Sequence, residues 1–282
     1  MTGQLVLVST PIGNLGDLSP RAVEALGACA LICCEDTRHS GKLLSHAGVS
    51  GVRLAVANEH TEAARAAEVI DLLAAGHDVA VVTDAGTPGI SDPGSRLVRA
   101  VLDAGLPVSA VPGPAALVMA LVISGFETTR FVFEGFLPRS GRDRTTRLAE
   151  VAAERRTILL YEAPHRVQRT ITDLAAMCGG ARRVALAREL TKKFEEVWRG
   201  TLADAVAHLA EHEPRGEFVV VVEGAPVAPV DDLTDEVLLD ALRAALAADD
   251  NRKAAVATVM AQTGAPKRRV YDLALQLPKS PR

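Results

Sequence analysis

Short, nearly unbroken apolar runs recur along the first half of this chain, with helix-like segments between them. Leu5–Val8, Leu31–Cys34, Leu54–Val56, Val79–Val82 and Val108–Val111 read as strands. Strands that are apolar on both sides must be covered on both faces, which points to a parallel sheet with helices above and below. Helical patterns run from about Thr61 to Ala75, with Ala63, Ala67, Ile70 and Leu73 expected inward, and from about Pro93 to Ala104, with Leu97, Val98, Val101 and Leu102 inward. Strand–helix alternation of this kind defines an α/β domain.

A second set of runs follows at Phe131–Phe133, Ile158–Tyr161, Val184–Ala187, Phe194–Trp198 and Phe218–Val222. Fewer helices separate these, chiefly Thr145–Arg155, His165–Met177 and Leu202–Ala210, so a mixed sheet is expected. At about 150 residues per domain, 282 residues suggest two domains and an appendage. The expected division is 1–127, an α/β domain with the binding loops; 128–224, a mixed-sheet α/β domain completing a cleft; and 225–282, a linker with Pro226 and Pro229 followed by a small helical tail.

Composition narrows the functions. Aromatic residues make up only 3% of the chain, so stacking of single-stranded bases is not expected to be the main recognition device. A net charge of −4 excludes a globally basic nucleic-acid binder. Local cationic clusters remain at Arg139, Arg142, Arg144 and Arg147, and at Arg182 and Arg183. Cys29, Cys33, Cys34 and Cys178 show no metal-site spacing. They read as buried thiols of a reducing compartment, and no metal is expected. The longest apolar run, Ala115–Ile123, is too short to cross a bilayer, which takes about 20 residues. The N-terminus has no signal-peptide pattern, so a soluble cytoplasmic protein without membrane contact is expected.

The chemistry should sit where the strands end, since open α/β sheets bind ligands outside the carboxyl ends of their strands. Strand one runs into Ser9-Thr10-Pro11-Ile12-Gly13-Asn14-Leu15-Gly16-Asp17. Strand four runs into Asp84-Ala85-Gly86-Thr87-Pro88-Gly89-Ile90-Ser91-Asp92-Pro93-Gly94, and strand five into Pro112-Gly113-Pro114-Ala115-Ala116. Gly permits close ligand approach and Pro fixes the backbone. Three such loops at one sheet edge make a rigid, backbone-lined pocket. Pro20, Pro93 and Pro114 suit the first helical position, and Asp92 the N-cap before Pro93.

The motifs of the Rossmann, phosphate-loop, zinc-protease and serine-hydrolase sites are missing. Charged strand ends stand instead: Glu35-Asp36-Thr37-Arg38-His39, Asn58-Glu59-His60, Tyr161-Glu162-Ala163-Pro164-His165-Arg166 and Arg188-Glu189-Leu190-Thr191-Lys192-Lys193. Taken singly each is a solvated loop; converging on one cleft they would suit acid–base chemistry on a charged substrate.

These loops and strand ends, with Phe133-Glu134-Gly135-Phe136-Leu137-Pro138, resemble the tetrapyrrole methylases, the class III S-adenosylmethionine-dependent enzymes. They are most similar to the branch that methylates small-subunit (16S) ribosomal RNA at a cytidine 2′-oxygen. The match runs in order from strand one to about Gly224. The resemblance implies a homodimer that holds S-adenosylmethionine between two domains. It places cofactor contacts on Pro11, Ala85, Gly86, Thr87, Ile90, Ala115 and Ala116, with Glu162 and Leu190 from the second domain. Gly86-Thr87-Pro88 and Ala115-Ala116 depart from the pattern of cobalamin-pathway relatives, which weakens a tetrapyrrole substrate.

Transfer to a ribose hydroxyl calls for a positioned base. Glu59, His60, Asp36 and Glu189 are the candidates, and the sequence does not choose among them. Arg38, Arg188 and Lys192 suit phosphate or nucleotide contacts. In the tail, Asp250 or Asn251 should cap one helix, Gly264 end it, and Pro266-Lys267-Arg268-Arg269 open the next. That arrangement is similar to a helix-turn-helix whose Lys267, Arg268 and Arg269 meet ribosomal RNA or the small subunit. The other readings are a tetrapyrrole (precorrin-type) C-methyltransferase and a non-catalytic RNA-binding factor with a vestigial pocket.

Overall fold

The computed structural model describes residues 2–58, 61–226, 234–248 and 251–277. Residues 1–223 form one compact unit holding two sheets, and residues 224–282 form a second. The first sheet is built from β1 (Leu5–Val8), α1 (Pro20–Ala28), β2 (Leu31–Cys34), α2 (Thr37–His46), β3 (Arg53–Val56), α3 (Glu62–Ala74), β4 (Val79–Val81), α4 (Ser95–Asp103) and β5 (Val108–Val111). Its order is β3-β2-β4-β1-β5, every pair parallel. All five strands therefore end at one rim.

Strand alternation explains the apolar runs. Val6, Val8, Ile32, Cys34 and Ala80 face one side, against Ala22, Leu26 and Leu44. Leu5, Leu31, Cys33, Val79 and Val81 face the other, against Val69, Leu73, Leu97 and Val101. The expectation of full cover fails at the edge strand β5, where Ser109 and Ala110 are exposed. On α3 the buried face is Glu62, Val69 and Leu73, not the Ala63 and Ala67 stripe. On α4, Leu97 and Val101 are buried but Leu102 is exposed.

Helix α5 (Ala116–Ser124) is apolar all round and joins the sheets. Its Leu117, Ala120 and Leu121 pack on Leu159, Ala185, Ala187, Val219 and Val221 of the second sheet. Its Val118, Met119, Val122 and Ile123 are exposed. The second sheet comprises β6 (Phe131–Phe133), α6 (Gly141–Ala153), β7 (Thr157–Glu162), α7 (Pro164–Cys178), β8 (Arg183–Arg188), β9 (Glu196–Thr201), α8 (Leu202–Glu211) and β10 (Phe218–Val222). Its order is β6-β7-β10-β8-β9, with only β6–β7 parallel. The sheet is mixed, as expected.

Three local expectations are corrected. The run at Phe194 begins too early: Arg188 pairs with Glu196 across a β8–β9 hairpin, which puts Phe194 in the connecting loop. The segment Glu35–His39 is not a solvated loop, because Asp36 caps α2 by accepting the Arg38 N–H. Neither Pro93 nor Pro114 opens a helix, and Asp92 is not a cap. Helix α4 starts at Ser95 after Gly94 at φ 130°, and its end is capped from a distance. The buried Glu62 carboxylate accepts the N–H groups of Gly94 at 3.0 Å and Leu97 at 2.8 Å.

The cationic clusters thin out as well. Arg144 is buried, holding Asp173, Thr170 and the Pro138 carbonyl. Arg182 donates to the carbonyls of Glu223 and Ala152, while Arg147 pairs with Glu134 and Glu150. These guanidiniums are structural. The cysteines are free, and burial pushes the Cys29 thiol up to about 11 and Cys33 to about 12.

The second unit holds α9 (Asp235–Ala248), α10 (Arg252–Thr263) and α11 (Lys267–Gln276) around Leu238, Leu242, Val256, Val259, Val270 and Leu273. Asn251 caps α10 through the Lys253 and Ala254 N–H groups, and Gly264 ends it at φ 73°. Pro266 precedes α11 as expected. No helix among the described residues is long and apolar enough to cross a membrane.

Candidate active site

The three Gly/Pro loops of the first sheet are laced together at the rim. Thr10 and Gly86 exchange backbone hydrogen bonds at 2.9 and 3.1 Å. The buried Thr10 hydroxyl donates to the Thr83 carbonyl. The hydroxyls of Ser9 and Thr87 are 3.1 Å apart, and Thr87 donates on to the Pro114 carbonyl at 3.2 Å. A Cβ on Gly113 would lie 2.8 Å from the Ser9 Cβ, so only glycine lets the third loop approach the first.

Between this rim and the loops of the second sheet lies a cavity of about 500 Å³. The first sheet supplies Ile12, Ala85, Gly86, Thr87, Ile90, Ala115 and Ala116. The second supplies Tyr161, Glu162, Ala163, Pro164, Leu190 and Val219. Phe136 stands in the wall half exposed, edge-on to Tyr161. The size suits a nucleoside-sized ligand. The lining combines backbone and small apolar side chains with the carboxylates of Glu35, Asp84, Asp92, Glu189 and Glu217, against one lysine, Lys192. Such a lining favours a cationic group and repels phosphate.

The carboxylates differ in how they are held. Glu162 is buried, accepting from Thr170 at 2.6 Å, from Arg166 and from the Ala163 N–H. Glu189 accepts from Lys192 Nζ at 2.8 Å and from the Glu217 N–H. Burial draws the Glu189 carboxyl upward, but the lysine holds it below its ordinary range. Gly216 makes room for that pair, since a Cβ there would strike the Glu189 carboxylate. Lys192 also bonds Glu217 at 2.7 Å. Burial raises Glu35, reinforced by the Asp84 charge. Asp92 is pushed up to about 6, first by burial and then by Glu35, Asp84 and Glu217.

Of the residues singled out in the sequence, Ala85, Gly86, Thr87, Ile90, Ala115, Ala116, Glu162, Leu190, Glu189 and Lys192 line this cavity. Pro11, Asp36, Arg38 and Arg188 do not. Asp36 is engaged by Arg38 at 2.8 Å in an exposed pair, and Arg188 by Glu196 at 2.8 Å. Glu59 and His60 lie outside the described residues. In the second unit, Lys267 and Arg268 are exposed, and Arg269 pairs with Asp235 at 2.9 Å. Glu35, Asp84, Asp92, Glu217 and Phe136 also line the cavity and are not among the site residues named from the sequence, Asp92 being read there as a helix cap. Their signal was present for Glu35 and Asp84, which end strands two and four, and absent for Glu217, which precedes a strand.

Comparison with known proteins fits this geometry. Residues 4–206 match the family of tetrapyrrole (corrin/porphyrin) methylases. A relative from Synechocystis sp., named ribosomal RNA small subunit methyltransferase I, is 47% identical over 275 residues, covering 98% of each chain. One of the same name from Escherichia coli O157:H7 is 42% identical, covering 97% of this chain and 95% of its own. Among solved structures, the methyltransferase CobJ superposes with a TM-score of 0.60 at 20% identity, over 80% of this chain and 95% of its own. That likeness shows the fold alone. With its two sheets, its laced rim and this sequence match, the chain belongs to the tetrapyrrole methylase family.

Proposed function

We propose that this protein transfers a methyl group from S-adenosylmethionine to the 2′-oxygen of a cytidine in small-subunit ribosomal RNA. The observation that carries the reading is the cavity at the laced rim, in a chain whose near full-length relatives are named as small-subunit ribosomal RNA methyltransferases. The residues present fit the cofactor. Its adenosine suits the backbone and small side chains of Ala85, Gly86, Thr87, Ala115 and Ala116, with Ile90, Leu190 and Glu162 also in the lining, and Pro11 is proposed to support the first loop from outside the cavity. The carboxylates of the lining suit a sulfonium charge.

The bound cofactor supplies an activated methyl group, so the protein's work is to bind, orient and exclude water. Three mutually bonded loops do the orienting at no reorganisation cost during reaction. The acidic wall repels phosphate, so the RNA backbone stays at the cleft's margin while one ribose enters. Arg38, Arg188 and Lys192 are proposed for that margin, and Lys267, Arg268 and Arg269 for a separate contact with the RNA or subunit. Glu59, His60, Asp36 and Glu189 stay as proposed contributors to proton transfer. The exposed Val118, Met119, Val122 and Ile123 of α5 form an apolar face that supports a homodimer. Four free cysteines support a cytoplasmic location.

Incubation with isotopically labelled cofactor and small ribosomal subunits, followed by mass spectrometry of RNA fragments, tests the reading. A single labelled methyl group on a cytidine ribose is expected. No label in RNA, or label in an added porphyrin-type acceptor, would overturn it.

A further inference from the structure

We propose that the ring of Phe136 is the surface on which the target nucleobase stacks, holding the attached ribose toward the cavity. This deepens the functional reading above and rests on it.

Phe136 follows β6 in the loop that leads to α6. An exposed phenylalanine is by itself ordinary. This one is 51% exposed within a cavity lining, on a backbone fixed at both sides. The Glu134 N–H donates to the Leu159 carbonyl, and the Gly135 carbonyl accepts the Tyr161 N–H, each at 2.9 Å. Gly135 turns the chain at φ 60° beside Ser91, whose Oγ would lie 3.3 Å from a Cβ there. On the other side Leu137 is buried in the core of the second sheet. Its carbonyl accepts from Arg166, which is paired in turn with the buried Glu162 at 3.1 Å. The Pro138 carbonyl accepts from the buried Arg144 at 2.9 Å. Each neighbour is thus committed to the fold. The Phe136 ring touches Tyr161 edge-on, centroids 5.8 Å apart, and half of the residue stays open. A side chain held in this way has little freedom left to lose when a planar partner arrives.

The cavity says what that partner is. Among the described residues, Phe136 is the one exposed phenyl ring in the lining. Phe218 is buried there, and the exposed Phe131, Phe194 and Tyr271 lie outside it. A ribose that enters a cleft brings its base out of the RNA stack, so the base loses the faces of its neighbours. An aromatic ring replaces them, because every base has a π face. The adenine of the cofactor is the other planar group at hand. It is assigned above to the loops after β4 and β5 of the first sheet, whereas Phe136 stands on the second, beside Ser91. Scarce aromatics exclude stacking along a length of RNA, yet one turned-out base needs only one ring.

The test compares wild type with Phe136→Ala, Phe136→Leu and Phe136→Tyr on small ribosomal subunits with labelled S-adenosylmethionine, and follows binding of S-adenosylhomocysteine by calorimetry. Phe136→Ala should lose about tenfold to 100-fold in kcat/KM for subunits. Its KM for S-adenosylmethionine and its affinity for S-adenosylhomocysteine should stay within about twofold of wild type. Phe136→Leu keeps apolar bulk against Tyr161 but offers no ring, so it should lose nearly as much. Phe136→Tyr restores a ring and should stay within about threefold of wild type. A leucine variant as active as wild type would show that the ring only packs, and overturns the proposal. A loss of S-adenosylhomocysteine affinity that matches the loss in kcat/KM would put the ring on adenine, and overturns it too. If the alanine variant fails to fold, the leucine and tyrosine variants make the same decision. A wild type that methylates no subunit overturns the functional reading and this proposal with it.

Discussion

Thr87 hydrogen-bonds the Pro114 carbonyl through its side-chain hydroxyl at 3.2 Å, tying the loop after β4 to the loop after β5. Both loops contribute alanines and backbone to the cavity, so one hydroxyl sets the spacing of the cofactor wall. Thr87→Val keeps the shape and removes the bond, leaving a half-buried carbonyl and the Ser9 hydroxyl without this partner. A lost bond of this kind removes about 1 kcal/mol. The expected result is a fall of about fivefold to tenfold in S-adenosylmethionine affinity by calorimetry. Unchanged affinity would mean the loops hold their spacing without it.

Glu62 carries a stability prediction. The residue is 2% exposed, and its carboxylate serves two N–H groups at the start of α4. Glu62→Ala leaves both donors unsatisfied in a buried place, at about 1–3 kcal/mol for a buried unmet group. Glu62→Gln keeps an acceptor oxygen and should lose less. Urea melts of the two variants check this. If they are equally stable, the helix end is satisfied by water.

This same residue shows where sequence reading reaches its limit. Unbroken apolar runs and the period-3.6 patterns between them located the strands and the parallel sheet, because burial of Leu5, Ile32 or Val81 on a doubly covered sheet shows in each residue's own apolarity. The loops of the cavity were legible in part for a similar reason: Gly86, at φ 82°, is a local backbone requirement, whereas Gly113 is required by the approach of its loop to Ser9. Asp92 was misread because capping was treated as local, while the actual cap comes from 30 residues upstream. Arg144 and Arg182 were misread as surface charge because their partners, Asp173 and the Glu223 carbonyl, lie on other elements. Glu217 joined the site only through the antiparallel register of β10 with β8, which no short motif records.

Asp92 should reveal itself in the pH dependence of stability. Its folded value of about 6 lies above the roughly 3.9 of an unfolded aspartate. The folded state therefore holds the proton more tightly, and this group's contribution to stability grows as pH falls from about 6 toward 4. At pH 8 the carboxylate is charged in both states and destabilises the fold. Asp92→Asn should accordingly melt higher than wild type at pH 8, with the gap shrinking by pH 5. A gap independent of pH would show that the carboxyl is not held above its ordinary range.

The second unit offers a prediction in which two effects have opposite sign. Lys267 and Arg268 open α11, where cations oppose the positive end of the helix dipole. Lys267 is exposed and Arg268 is 95% exposed, with Asp272 no nearer than 4.0 Å. Arg269 differs, being paired with Asp235 across the bundle. Replacing Lys267 and Arg268 by alanine should stabilise α11 by a few tenths of a kcal/mol each, since an unfavourable charge leaves the helix start. If the proposed RNA contact is real, the same variant binds small subunits more weakly, and the slope of log affinity against log salt falls by about two. Filter binding over a salt series measures that slope, and calorimetry should find cofactor affinity unchanged. A stabilised protein with an unaltered slope would show that these cations meet solvent alone.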